Sequence, residues 1–148
     1  MRTAAVLALL LATSASAATF RVDDSLSLPG ESTTPMNWRS LAPSRTASHA
    51  VDGTSIVTVR LNLAPWLNRT GKIYMALPEQ PIGQVNAEWS TQGRLLPGQL
   101  VSGNRTLVFA GPVRAALLED TIVLKLSADG RRLLAPQRLQ FHFEIDVD

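Results

Sequence analysis

Val57-Thr58-Val59-Arg60-Leu61-Asn62-Leu63 alternates apolar and polar side chains without a break. A period of two places Val57, Val59, Leu61 and Leu63 on one side of an extended chain and the polar residues on the other, which is a strand with one buried face. The same period recurs along the chain. Ile73, Met75 and Leu77 flank Tyr74 and Ala76, and Val85, Ala87 and Trp89 flank Asn86 and Glu88. Leu107 with Phe109, then Ile122, Leu124 and Leu126, and finally Phe141, Phe143, Ile145 and Val147 complete six such segments. None shows the 3.6-residue spacing of an amphipathic helix.

The segments are separated by residues suited to turns. These are Ala64-Pro65, Asn68-Arg69-Thr70-Gly71, Pro78 to Gly83, Gln92-Gly93, Ser102-Gly103-Asn104 and Ala128-Asp129-Gly130. Asp129-Gly130 is the best hairpin signal, and it predicts that the last two strands pair with each other, with Pro136 lengthening the connection. Val113 to Asp120 is the one helical candidate, a turn or 3₁₀ piece crossing between sheets before a strand that starts at Thr121.

Short strands with no helices between them predict an all-β chain, an immunoglobulin-like antiparallel β-sandwich of about seven or eight strands, with a small β-barrel as the alternative. Leu117-Leu118-Glu119-Asp120-Thr121 resembles the Leu-x-x-Asp-Thr corner before the penultimate strand of many immunoglobulin-like domains. The paired cysteines and the tyrosine of the antibody pattern are absent, so the resemblance bears on the fold alone. Asp120 is expected to accept a backbone hydrogen bond there.

The amino terminus reads differently. Met1-Arg2-Thr3 carries one positive charge, Ala4 to Ala12 is an apolar run, and Ala15-Ser16-Ala17 puts small residues where signal peptidase cuts, so residues 1–17 are expected to be an export signal. The run is too short to span a bilayer, which takes about 20 residues. A single domain over 18–148 is then expected in the periplasm or outside the cell. It comprises an N-terminal strand and a long Ser/Thr/Pro-rich loop over 18–48 and a sandwich body over 49–148. Trp38 is expected to pin that loop to the sandwich.

The 148-residue chain has no cysteine, which excludes disulfides, thiolate metal sites and thiol catalysis. Its fourteen Lys and Arg become thirteen without Arg2, against twelve Asp and Glu. Only Arg131-Arg132 are adjacent, so no basic patch predicts nucleic-acid binding. Lys occurs only at 72 and 125; with abundant Ala and Leu, this composition points to a GC-rich bacterial genome.

Candidate chemistry is sparse. The two histidines are His49 and His142, and no serine lies in a Gly-x-Ser-x-Gly elbow. His142, Glu144 and Asp146 form a stripe on the last strand, but same-face neighbours are about 7 Å apart, too far for one ion to reach all three. Asp23-Asp24 and Glu119-Asp120 point to opposite faces and form no dyad. Asn68-Arg69-Thr70 and Asn104-Arg105-Thr106 match the glycosylation pattern and are read as turns. Tyr74, Trp66 and Trp89 would make a carbohydrate platform if they surfaced together, with Trp89 expected inward and Trp66 the more exposed.

These readings predict no catalytic residues, metal or cofactor, and a protein acting through protein–protein contact or self-association. The candidate interaction residues are Phe20, Val22, Trp38 and Trp66. One specific form is a fimbrial or surface-fibre subunit whose segment Thr19–Leu28 inserts into a neighbour. The alternatives are a periplasmic ligand-binding, inhibitor or immunity protein, or a small hydrolase whose loops gather His49, Asp52 and arginines.

Overall fold

The computed structural model describes residues 17–30, 33–40 and 48–148. The chain forms β1 (Ala18–Arg21), β2 (Leu28–Pro29), β3 (Asn37–Trp38), β4 (Ala50–Asn62), β5 (Thr70–Ala76), β6 (Val85–Thr91), β7 (Gly98–Val101), β8 (Arg105–Pro112), β9 (Leu117–Asp129) and β10 (His142–Val147). They build two antiparallel sheets packed face to face, one in the order β1-β10-β5-β8 and one in the order β2-β4-β9-β6-β7, with β3 also on β4. This is the expected β-sandwich; neither sheet closes into a barrel. The predicted export signal, residues 1–16 with Ala17 at its end, lies almost wholly outside the described residues.

Alternation explains the core. Val59, Leu61, Ile73, Met75, Val85, Ala87, Trp89, Ile122, Leu124, Phe143, Ile145 and Val147 are all buried between the sheets. The longest ladder pairs β4 with β9 over thirteen residues each, from Ala50↔Asp129 to Asn62↔Leu117.

Three local expectations are corrected. The last two strands do not pair: β9 already has β4 and β6 as neighbours, so no edge is left for β10, which joins β1 and β5 in the other sheet. The Asp129-Gly130 turn instead closes onto β4, with the Gly130 N–H donating to the His49 carbonyl at 2.9 Å. In β8 the inward residue is Val108, while Leu107 and Phe109 are half-buried. The cause is a bulge, since Ile73 faces Phe109 and Tyr74 faces Leu107, leaving Val108 as the extra residue. Finally, the stretch from Val113 contains no helix, and β9 begins at Leu117 rather than Thr121, so the Leu-x-x-Asp-Thr residues belong to the strand. The 3₁₀ turn of the described residues is Ala64–Trp66.

The N-terminal segment changes sheets. Phe20 pairs with Ile145 in one sheet, the Val22 N–H bonds the Phe143 carbonyl, Asp23 then bridges Asn62 of β4, and Leu28 pairs with Thr58 in the other. It therefore completes its own sandwich.

Candidate functional site

The four residues read as interaction candidates do not form one surface. Val22 is buried in the core. Trp66, expected to be exposed, is only 8% exposed because the 3₁₀ turn rolls its ring inward, where Phe20 packs against it at 6.0 Å between centroids. Phe20 itself is 44% exposed at the edge of β1. Trp38 pairs with Val51 and lies so close over Gly130 that a Cβ there would meet its ring at 2.6 Å, so it pins β3 to the body while remaining half-exposed.

The carbohydrate platform does not form. Trp66 and Trp89 are buried, and the Trp89 indole N–H donates to the Leu96 carbonyl at 3.0 Å. Tyr74 lies under the Arg105 guanidinium, 4.1 Å from its ring centroid.

That arginine organises the outer face of the smaller sheet. Arg105 donates to Glu144 at 3.1 Å and to Asp146 at 3.0 Å, and His142 Nε2 lies 3.0 Å from Glu144 Oε1. Hydrogen bonds from Arg105 and from the Thr19 hydroxyl hold the Asp146 carboxyl below its ordinary range. The guanidinium thus joins Glu144 and Asp146 of the stripe, and His142 is linked to it only through Glu144. Among the described residues no three His, Asp or Glu converge as metal ligands.

The outer face of the larger sheet is set by the register. One rung runs Thr54, Lys125, Glu88, Gln99, and the next Asp52, Ser127, Asn86, Val101. These rungs floor an open concavity of about 860 Å³ that gathers Asp52 with Arg39 and Arg105 but not His49. Arg39 grips Asp52 with two bonds, at 2.7 and 2.6 Å, which holds the carboxylate below its ordinary range as a paired anion rather than a base. Farther along the same face Ile56 sits opposite Val123, and Leu28 opposite Thr58. Ile56 and Leu28 are each 56% exposed. Arg60 and Glu119 pair at 2.6 Å beyond them. Sequence alternation alone identifies Ile56 as outward, but only the pairing of β2 with β4 sets Leu28 beside it.

A second cleft, of about 320 Å³, opens where β8 crosses to β9, between Arg94 and Arg114. Buried Asp120, two residues on from the lining Leu118, accepts the Leu95 and Thr121 backbone N–H groups as its sequence position suggested. Compared with protein-family models, with curated proteins and with solved structures, the chain finds no match in any of the three.

Proposed function

We propose that the chain is an exported, non-catalytic β-sandwich that works by docking a partner protein onto the outer face of its larger sheet. The observation that carries this reading is the exposure of Leu28 and Ile56, diagonal neighbours on that face, with half-buried Val123 opposite Ile56 on β9. An apolar centre bordered by hydrogen-bonding and charged groups is the anatomy of a protein interface. Here the border is the ion pair Arg60–Glu119 on one side and the polar rungs around Asp52 and Glu88 on the other. Export is supported by Met1 to Ala17 together with the start of β1 at Ala18, the residue after the predicted cut. A fibre built by strand exchange would have to withdraw β1 from β10, so it is the less favoured form of the same reading.

A photo-crosslinking residue at position 56, compared with one at position 72 on the outer face of the other sheet, tests the proposal in the cells that make the protein. Adducts from position 56 alone support it. Adducts from position 72 alone, or from both equally, overturn it.

A further inference from the structure

We infer that the cleft between β8 and β9 binds an organic carboxylate with an apolar tail, a site independent of the sheet face described above. Its lining is largely apolar: Leu117, 47% exposed, and half-buried Phe109 are open to water, with Leu63, Val113 and Leu118 buried beneath the surface. Arg94 and Arg114 stand exposed among its lining residues. The ion pairs of the described residues engage Arg39, Arg60, Arg105 and Arg131, and leave both of these guanidiniums outside. The acids nearest in sequence are already committed. Glu119 is bound to Arg60, and the two oxygens of Asp120 accept the backbone N–H groups of Leu95 and Thr121.

Two guanidiniums without a carboxylate partner favour an anion, and their planar fork matches the two oxygens of a carboxylate. An inorganic ion would leave Leu117 and Phe109 in water, whereas an apolar chain attached to the carboxylate covers them. The volume of about 320 Å³ lies at the small end of ligand pockets, which fits a short chain or one or two side chains. The shared chemistry has two sources, a fatty acid and the C-terminal residue of a peptide.

The test follows backbone amide NMR shifts of the purified full chain during titration with octanoate, with 1-octanol, and with N-acetyl-Phe-Leu as free acid and as amide. The expected result is a set of shifts confined to residue 63, residues 94–96 and residues 109–118, saturating below about 10 mM, the range of a weak small-ligand site. These should appear with an acid and not with its neutral counterpart. Shifts with octanoate alone identify a fatty acid; shifts with the peptide acid alone identify a protein terminus; shifts with both acids support the site without separating the sources. Arg94→Gln combined with Arg114→Gln should weaken binding at least tenfold, with an unchanged melting temperature showing that the fold persists. Equal shifts from acid and neutral forms, shifts elsewhere only, no shifts, or a double variant that binds as well as the parent would each overturn the inference.

Discussion

The carboxylate of Asp120, on β9, accepts the backbone N–H of Leu95 at 2.8 Å, tying the loop between β6 and β7 to the middle of the sandwich. Asp120 is 5% exposed and is the one charged side chain buried among the described residues. Its other oxygen takes the Thr121 N–H at 2.7 Å, so both oxygens are satisfied by backbone. Gly93 permits the approach, since a Cβ there would stand 2.8 Å from Asp120 Oδ1. Asp120→Ala strands a buried amide and should cost about 1–3 kcal/mol. Asp120→Asn keeps one acceptor and should cost less. Urea titration of the two variants gives the order, and equal stability of Asp120→Ala and parent would contradict the role.

Register on β10 sets the second prediction. Phe143 faces the core and Glu144 faces out toward Arg105 and His142. Phe143→Asp places a charge in the core and should abolish folding, since even truncation of a buried Phe costs about 3–5 kcal/mol of a total near 5–15. Glu144→Ala loses only part-exposed ion pairs, about 1 kcal/mol or less. Denaturant curves of comparable midpoint for both would place the register one residue off.

Truncation tests the N-terminal segment. Removing residues 18–28 deletes Val22 from the core and uncovers the flank of β10 from Glu144 to Val147. The truncated chain should lose its cooperative melt, while the parent should sediment as a folded species. A truncation that melts cooperatively would show instead that β1 is dispensable to its own sheet.

Acid should act through Asp146. Arg105 and Thr19 hold its folded pKa below the ordinary aspartate value, so its contribution is fully present above that value and fades as pH falls through the folded one. Arg105→Met should therefore flatten the loss of stability between about pH 5 and pH 2. Asp129, half-buried and lowered to about 2 by Arg131, adds a loss of its own over the same range, which Arg105→Met leaves in place. Urea midpoints across pH for parent and variant check this; parallel curves would remove Asp146 from the account.

Export makes a prediction of its own. Intact mass of protein recovered from outside the cytoplasm should begin at Ala18, with Arg2 gone. A species that retains Arg2 would rule out cleavage after Ala17.

How much of this was legible in sequence depends on where the information resides. Strand faces are written locally, so Leu61, Ile73, Trp89, Leu124 and Phe143 point inward as their neighbours dictate. Partnership between strands is not local. Asp129-Gly130 has the chemistry of a hairpin, yet β9 spends both edges on β4 and β6, and that occupancy is a property of the whole sheet. Val108 is inward because of a bulge against β5, which no periodicity of β8 encodes. β7 shows no period because only Gln99, Leu100 and Val101 stand between Pro97-Gly98 and Ser102-Gly103. The candidate surfaces fared likewise. Trp66 looked exposed beside Pro65, and Arg94 with Arg114 gave no signal, because a twenty-residue separation closes into a cleft only when β8 and β9 lie in different sheets.

The pairing of Ala18 with Val147 has a kinetic meaning. β1 has to wait for Glu144 to Val147 before it finds its place, and the β4–β9 ladder likewise joins residues far apart in sequence. Chains dominated by such distant pairings fold slowly, in about milliseconds to seconds. A thread of this kind cannot knot itself into a finished domain piece by piece, and its closure is deferred until β10 has arrived.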